Sequence, residues 1–320
     1  MNIHFYDVHD WEKPYLEKRS RELFSDAELH FDTQPLNEET PMTNADAECV
    51  SIFVDSRMTR SVIDRFPQLK LIATRSTGFD MVDMEYAKAR GIMVANVPSY
   101  GEHTLAEFTL GLMLTLSRKL DECIGRTREQ WRFDHDGLTG FDLIGKTLGV
   151  IGTGRIGMSV VTLAKALGMK VLAYDAFPKH DLATVVGFTY ADLETLLESS
   201  DIVTLHLPGT KDGSYMIDAD ALSRMKPAAY LINTSRGSLV DTKALTAALK
   251  AKKLAGAALD VLEDEPALQA GLANHPLVQM QNVIITPHTA FNTTEAIERI
   301  LETALQNIYE FKKGVLQNLV

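Results

Sequence analysis

Residues 148–157 read LGVIGTGRIG, an apolar run followed by glycines at positions 152, 154 and 157. After the turn, the apolar residues at positions 156, 160, 163 and 167 recur at helical spacing. The pattern predicts a strand that ends at Ile151 and a helix that begins within the glycine turn. In such a turn the first glycine permits a sharp bend, the second a close approach of backbone N–H groups to a ligand, and the third tight helix packing.

The same turn predicts a site for the pyrophosphate of a dinucleotide, because a helix N-terminus presents N–H groups and a positive dipole end. The next strand ends in Asp175, where an adenosine ribose would lie. Its carboxylate can accept ribose hydroxyls but repels a 2′-phosphate, and the following residues, Ala176 and Phe177, supply no arginine. We therefore expect the cofactor NAD rather than NADP. The residues predicted to bind it here are Gly152, Gly154, Arg155, Ile156, Gly157 and Asp175.

Composition and charge exclude several classes of protein. The 320 residues include 32 Lys and Arg against 43 Asp and Glu, a net charge of −11, which argues against a nucleic-acid partner. Cys49 and Cys123 form no CxxC pair and the nine histidines are scattered, so we expect neither a disulfide framework nor a metal site. The N-terminus lacks a signal-peptide pattern and no apolar run is long enough to span a bilayer, so we predict a cytoplasmic location without membrane contact.

Strands alternating with helices predict an α/β protein with two parallel sheets. Ligands of such sheets bind at the carboxyl ends of the strands, and we expect a cleft there between two lobes. The predicted strands are 3–6, 29–31, 50–54, 71–74 and 92–95 in the first series, and 147–151, 170–174, 201–205, 230–233, 256–259 and 283–286 in the second.

Two further helices have features of their own. One long helix is predicted from residue 102 to about 130, and it is apolar on more than one side. We expect it to pack on its own lobe and against a second copy of the chain, in a homodimer. The last helix is predicted over about 293–311, where Asn292 and Glu295 have the spacing of a capping box.

Three polar residues follow late strands of the second series: Arg236, Glu265 and His288. Each alone has an ordinary structural explanation, but together they form a complementary set at the rim of one nucleotide-binding sheet. An arginine can hold a carboxylate through two parallel hydrogen bonds, a histidine can transfer a proton, and a carboxylate favours the imidazolium form. We predict that these three residues are catalytic.

Long segments around these residues resemble the D-isomer-specific 2-hydroxyacid dehydrogenases, and the similarity runs over nearly the whole chain. Four of them carry the family resemblance: GTGRIG (152–157), NTSRGSLVD (233–241), ALDVLEDEP (258–266) and TPHTAF (286–291). Three more are most similar to the D-lactate dehydrogenase branch: RSTGFDMVD (75–83), VPSYGEHTLAEF (97–108) and LTGFDLIGKTLGVIGTGRIG (138–157).

The resemblance implies a Rossmann doubly wound sheet for NAD over 99–290 and a smaller flavodoxin-like substrate domain over 1–98 and 291–320. It also implies reduction of a small 2-oxo acid, foremost pyruvate to D-lactate, by hydride transfer from NADH with His288 as proton donor. Arg236 and Glu265 would complete the catalytic set. The implied substrate-binding residues are Ser76, Thr77, Gly78, Tyr100 and Phe291, and further residues implied at the cofactor are His206, Leu207, Pro208, Thr234, Ser235 and Asp260.

Two alternatives stay open at this point. A glyoxylate or hydroxypyruvate reductase would use the same groups on a different 2-oxo acid. From another class, a corepressor-like protein of the same family would use the dinucleotide lobe as an NAD(H)-sensing binding module. Oxidation of NADH with pyruvate separates the enzyme from the binding module.

Overall fold

The computed structural model describes residues 1–210, 213–263, 265 and 271–320. It consists of two compact units, Met1–Gly101 with Asn292–Val320, and Glu102–Phe291. In chain order the described elements are β1 (Asn2–Phe5), α1 (Lys13–Leu23), β2 (Glu28–Phe31), β3 (Cys49–Ile52), α2 (Arg60–Ile63), β4 (Leu71–Thr74), α3 (Met84–Ala89), β5 (Met93–Ala95), α4 (Glu102–Arg118), α5 (Leu120–Arg128), β6 (Thr147–Ile151), α6 (Arg155–Ala166), β7 (Lys170–Tyr174), α7 (His180–Val186), β8 (Thr189–Tyr190), α8 (Leu193–Ser199), β9 (Ile202–Leu205), α9 (Ala219–Arg224), β10 (Tyr230–Asn233), α10 (Thr242–Lys250), β11 (Gly256–Leu259), β12 (Val283–Ile285) and α11 (Thr294–Lys312).

The first unit has a five-stranded parallel sheet in the order β2-β1-β3-β4-β5. This is the strand order of flavodoxin-like sheets, as expected from the sequence. Strands β3 and β4 are buried along their whole length, because helices cover both faces of the sheet. One core cluster joins β1 to α11, with Ile3 and Phe5 packed among Leu301, Leu305 and Ile308.

Helix α11 begins one residue later than its sequence predicted. Thr293 is the N-cap, with extended backbone, and its hydroxyl accepts a hydrogen bond from the N–H of Ala296 at 3.2 Å. The predicted capping box of Asn292 and Glu295 is therefore wrong by one position. Asn292 and Thr293 both have side chains that can cap a helix. The backbone conformation at Thr293 decides which of the two side chains reaches the first free N–H groups of the helix.

The second unit has a seven-stranded parallel sheet in the order β12-β11-β10-β9-β6-β7-β8. Counted from β6, this is the Rossmann order 3-2-1-4-5-6 with one strand added, and the order reverses between β9 and β6. The doubly wound sheet predicted from the sequence is therefore confirmed. Strand β8 was not predicted, because it has only two residues and pairs with the sheet through Leu172↔Thr189 and Ala173↔Tyr190.

The long helix predicted over residues 102 to about 130 is two helices, α4 and α5, so that prediction is wrong. Lys119 between them has a left-handed backbone, with φ of 50° and ψ of 42°. The carbonyl of Ser117, which would accept the N–H four residues on in a continuous helix, accepts the N–H of Phe141 at 2.8 Å. A loop distant in sequence thus takes the helix's own hydrogen-bond acceptor, and α4 ends there.

Helix α4 buries one face within its own unit, where Leu112, Met113 and Leu116 pack with Val160 and Val161 of α6. Other apolar side chains of α4 and α5 face outward: Leu114 is 37% exposed, Leu120 42% and Ile124 49%. None of the helices in the described part of the chain is long and apolar enough to cross a membrane.

Candidate active site

The glycine turn lies between β6 and α6, as predicted. Gly152 has φ of +95°, and a Cβ there would lie 2.3 Å from the carbonyl oxygen of His206. A Cβ at Gly157 would lie 2.0 Å from the carbonyl oxygen of Gly152. At Gly154, by contrast, a Cβ would meet no atom within 4 Å, so the protein's own packing does not require glycine. The missing side chain leaves open space beside the N-terminus of α6, which fits a pyrophosphate.

Asp175 follows β7 directly and lies beside this turn. Its carboxylate accepts hydrogen bonds from the N–H of Thr153 at 2.6 Å and from the N–H of Phe177 at 2.8 Å. Partial burial works to raise the pKa of Asp175, but these hydrogen bonds outweigh it and lower the pKa below its ordinary value. The group is therefore a carboxylate at neutral pH, as recognition of ribose hydroxyls requires.

His206, Leu207 and Pro208 follow β9, the neighbour of β6. The imidazole Nε2 of His206 lies 3.0 Å from Thr204 Oγ1, and its buried Nδ1 has no hydrogen-bond partner in the described structure. Burial lowers the pKa of His206 to about 3, so the ring is neutral at physiological pH and no candidate for the proton donor. The backbone of His206 instead forms the wall against which Gly152 turns.

Arg236 stands in the loop after β10, and Asn233 shapes that loop. The Asn233 side chain donates to the carbonyl of Arg236 at 2.8 Å and accepts from the N–H of Ser235 at 3.0 Å. Arg236 itself donates from Nη1 to the carbonyl of Ser235 at 2.9 Å. Asn233 was not predicted to have this role, although an asparagine at a strand end is a known signal for a side-chain-stabilised turn.

Two other residues of this loop have partners within the second unit. The hydroxyl of Thr234, which is 5% exposed, lies 3.0 Å from that of Thr109 on α4. Ser235 donates from its hydroxyl to the carbonyl of Leu205 at 2.6 Å. A Cβ at Gly237 would lie 1.9 Å from the carbonyl oxygen of Leu262, so the loop packs against the segment that leads to Glu265.

His288 and Glu265 form a hydrogen-bonded pair, with 2.7 Å between Nδ1 and Oε2. The other carboxylate oxygen of Glu265 accepts from the N–H of Leu262 at 3.1 Å. Burial works against the charged form of both groups, but their mutual interaction prevails: the pKa of Glu265 is lowered and the pKa of His288 is raised. The imidazolium form of His288 is thus favoured, and Nε2 is the ring nitrogen that Glu265 leaves for a substrate.

Asp260 holds the turn that carries His288. Its carboxylate, 2% exposed, accepts from the hydroxyl of Thr286 at 2.6 Å and from the N–H groups of Thr289 and Ala290 at 2.9 Å. Its carbonyl accepts the N–H of His288 at 2.8 Å. His288 has φ of +49°, a conformation that costs a non-glycine residue free energy and persists only where neighbours enforce it. The predicted role of Asp260 at the cofactor stays a prediction.

The structure brings the three predicted catalytic residues together, because Arg236, Glu265 and His288 follow β10, β11 and β12, which are neighbours in the sheet. The charge of Arg236 acts on both partners of the pair and lowers the pKa of each, as a minor contribution. The carboxyl ends of these three strands thus bring together a guanidinium, an imidazole that can be protonated, and the carboxylate that favours the charged form of that imidazole.

The residues predicted to bind the substrate belong to both units. Ser76, Thr77 and Gly78 follow β4 of the first unit, and the hydroxyls of Ser76 and Thr77 donate to the carbonyls of Gly78 at 2.6 Å and Val97 at 2.7 Å. These bonds tie up the side chains, so backbone N–H groups are what the turn offers to a carboxylate. Tyr100 belongs to the first unit and its carbonyl accepts from Arg299, whereas Phe291 is the last residue of the second.

A buried ion pair that was not predicted from the sequence supports this turn. Arg75 and Glu12 have fully buried side chains and are joined by two hydrogen bonds, Nε to Oε2 at 3.1 Å and Nη2 to Oε1 at 3.0 Å. Arg75 directly precedes Ser76 and also donates to the carbonyls of Tyr6 and Asp7. The pair links the loops after β1 and β4. No sequence pattern signals it, since the partners are 63 positions apart.

Aromatic side chains cluster at the carboxyl ends of β1 and β3 and were also missed. His9 stacks on Trp11 with ring centroids 5.3 Å apart, and Phe53 meets both edge-on. The pKa of His9 is raised, chiefly by its hydrogen bond with Asp7. Asp7, His9 and Asp55 bring potential ligand atoms within 4.8 Å of one another, but the Asp7 carboxylate already accepts from the N–H of Asp55 and the hydroxyl of Ser56.

Known proteins resemble this chain over most or all of its length. The family model for the NAD-binding domain of D-isomer specific 2-hydroxyacid dehydrogenases matches residues 110–290. A D-lactate dehydrogenase of Escherichia coli is 37% identical over 98% of this chain and 98% of its own, and a glyoxylate reductase of Thermofilum pendens is 41% identical over 88% of this chain and 84% of its own. A crystal structure of D-lactate dehydrogenase from Aquifex aeolicus with NAD and lactic acid superimposes with a TM-score of 0.90 and 38% identity, covering 100% and 99% of the two chains.

The chain belongs to the D-isomer-specific 2-hydroxyacid dehydrogenases, and its similarity to members of their D-lactate dehydrogenase branch covers nearly its whole length. It is an NAD-dependent oxidoreductase that acts on the CH–OH group of 2-hydroxy acids. This finding favours the enzyme over the corepressor-like binding module, and oxidation of NADH with pyruvate is the assay that separates the two.

Proposed function

We propose that the enzyme reduces pyruvate to D-lactate, with His288 as the proton donor. The observation that carries the proposal is the 2.7 Å pair of His288 and Glu265. The strands that these two residues follow are neighbours, in the sheet, of the strand that Arg236 follows. D-lactate dehydrogenases are among the relatives that match the chain over nearly its whole length. The position of Asp175 beside the glycine turn supports NADH as the reductant.

Each group of the set contributes to the reduction in a defined way. NADH, when bound, supplies the hydride for the carbonyl carbon of the 2-oxo acid. Protonated His288 donates from Nε2 to the carbonyl oxygen, and such general acid catalysis contributes about 10²–10⁴ in rate. Glu265 keeps the imidazole charged and oriented through Nδ1. Arg236 holds the substrate carboxylate through a forked contact and polarises the carbonyl. For residues 76–78, the predicted task is binding of a carboxylate by their backbone N–H groups.

A panel of 2-oxo acids tests the substrate. With NADH, we expect the highest kcat/KM for pyruvate, measured against glyoxylate, hydroxypyruvate and phenylpyruvate. Glyoxylate is the second candidate, because the glyoxylate reductase of Thermofilum pendens is 41% identical to the chain. A higher kcat/KM for glyoxylate or hydroxypyruvate would assign the enzyme to that activity instead.

Asp175 leads to a prediction about the cofactor. NADH should exceed NADPH by about 10² or more in kcat/KM, because a 2′-phosphate would face an ionised carboxylate. In Asp175→Asn the charge is lost and most of this preference should disappear. Parallel initial rates with the two cofactors, for parent and variant, measure it. Equal efficiency of NADH and NADPH in the parent enzyme would contradict the role of Asp175.

We infer further that the enzyme is a cytoplasmic homodimer. Both cysteines are free thiols, which supports a reducing compartment. Exposed Leu114, Leu120 and Ile124 on α4 and α5 support a second copy as the partner that covers them. Sedimentation velocity should give twice the chain mass for the parent and the monomer mass for the double variant Leu114→Glu with Leu120→Glu. Leu182→Glu, at a 43% exposed site on α7, is the matched control. A monomeric parent would refute the dimer.

A further inference from the structure

A chain of hydrogen bonds ends on the carboxylate of Asp175. The hydroxyl of Thr153 lies 2.8 Å from Asp175 Oδ2 and 2.8 Å from the hydroxyl of Tyr190. The N–H of Lys179 in turn donates to the hydroxyl of Tyr190 at 3.1 Å. Neither Thr153, which stands between the first two glycines, nor Tyr190 on the short strand β8 was predicted from the sequence to have a role. The glycine motif and Asp175 require neither of them.

The direction of each hydrogen bond follows from the charge at one end. The lowered pKa of Asp175 makes it a carboxylate at neutral pH, and a carboxylate only accepts. Thr153 must therefore donate its single hydroxyl proton to Asp175, and Tyr190 must donate to Thr153. Tyr190 then accepts from the N–H of Lys179. All donors point toward the negative charge, an arrangement in which each bond polarises and strengthens the next.

The fold holds the members of this chain rigidly. Thr153 follows β6, Asp175 follows β7 and Tyr190 lies on β8, three neighbouring strands at one edge of the sheet. Thr153 is 1% exposed. The ring of Tyr190 packs edge-on against Phe188 at 5.1 Å and His180 at 5.4 Å between centroids, so its hydroxyl has a defined position.

Hydrogen bonds restrict the rotation of the Asp175 carboxylate and occupy most of its acceptor positions. Oδ2 accepts both the N–H and the hydroxyl of Thr153, and Oδ1 accepts the N–H of Phe177. A carboxylate offers about four acceptor positions, and hydrogen bonds from the described part of the chain fill three of them, which leaves one position on Oδ1. A single acceptor held in one direction is preorganised for one ribose hydroxyl. The same rigidity prevents the charge from turning away from a 2′-phosphate.

We propose that Thr153 and Tyr190 are positioning residues that lock the Asp175 carboxylate and thereby set the enzyme's preference for NADH over NADPH. The inference rests on the proposed position of Asp175 at the adenosine ribose. Without the Tyr190 hydroxyl, Thr153 loses the donor that fixes its own hydroxyl. Without the Thr153 hydroxyl, one of the three bonds to the carboxylate is absent. In either case Asp175 is worse placed for ribose and freer to avoid a phosphate.

The test compares Tyr190→Phe and Thr153→Val with the parent. Dissociation constants for NADH and NADPH come from fluorescence titration, and kcat from assays at saturating NADH. We expect Kd for NADH to rise about threefold to tenfold, as for loss of one hydrogen bond, and the ratio of Kd for NADPH to Kd for NADH to fall at least as much. The value of kcat should stay near the parental one. Thr153→Ser, which keeps the hydroxyl, should restore the ratio.

Control variants separate the role of Thr153 and Tyr190 from the proposed role of Asp175. Tyr230→Phe changes a tyrosine at the amino end of β10, stacked on Phe141, and should leave the ratio unchanged. A parental ratio in both Tyr190→Phe and Thr153→Val, with the ratio lost in Asp175→Asn, would overturn the inference and leave the role of Asp175 intact. An unchanged ratio in Asp175→Asn would refute that role itself. Because both constants are measured on the same sample, partial unfolding of a variant does not alter their ratio.

Discussion

His288→Gln should lower kcat for 2-oxo acid reduction by at least about 10², the amount that general acid catalysis contributes. The affinity for NADH should stay nearly parental, because the glycine turn and Asp175 follow other strands of the sheet, β6 and β7. Steady-state assays measure kcat, and fluorescence titration measures the affinity for NADH separately. His135→Gln, at an exposed histidine, is the matched control. A His288→Gln enzyme that turns over at the parental rate would exclude His288 as the donor.

Glu265→Gln should shift the pH dependence of kcat, while kcat at the optimal pH should change little. Reduction needs protonated His288, so activity is present below the pKa of His288 and falls as the pH rises through it. Glu265 raises that pKa, against the effect of burial. Without the negative charge the pKa of His288 drops, and the decline of kcat begins at lower pH, with much of the activity recovered in acid.

The measurement is kcat against pH for the parent and Glu265→Gln. The glutamine oxygen can still accept a hydrogen bond from Nδ1, so the ring orientation is largely kept. Its NH2 group then replaces the oxygen that accepts from the N–H of Leu262, so the variant loses that hydrogen bond together with the charge. A superimposable pH profile would show that Glu265 does not set the protonation of His288, and the pair would then have a structural role only.

Arg236→Lys should reduce kcat/KM for pyruvate by about 10²-fold. A planar guanidinium can form two parallel hydrogen bonds to a carboxylate, whereas an ammonium is a point charge, and a hydrogen bond to a charged group contributes about 1.5–3 kcal/mol. The loss should appear in both KM and kcat, because the same group binds the carboxylate and polarises the carbonyl.

The matched control for Arg236 is Arg224→Lys. Arg224 is in the same unit and pairs with Glu194 and Asp220 on the surface, where either cation suffices. The control should keep the parental kcat/KM. A near-parental value in Arg236→Lys itself would remove Arg236 from the substrate site.

Much of the fold was predictable because its signals are local. A glycine turn between an apolar run and a helical pattern needs only ten residues to define a strand-turn-helix unit, and β6, β7, β10 and β11 have the predicted bounds. The catalytic candidates could be named for the same reason, since Arg236, Glu265 and His288 each follow a predicted strand. Residue type and position after a strand are properties of the sequence.

Contacts between distant segments could not be read in this way. The sheet order makes β10, β11 and β12 neighbours and so unites the catalytic residues, and the register of β7 with β8 brings Tyr190 within reach of Thr153, 37 positions away. The break at Lys119 has the same origin, because the N–H of Phe141 takes the carbonyl of Ser117 from α4. Local patterns specify which elements form, whereas hydrogen bonds across the sequence depend on packing and register, which only the folded chain defines.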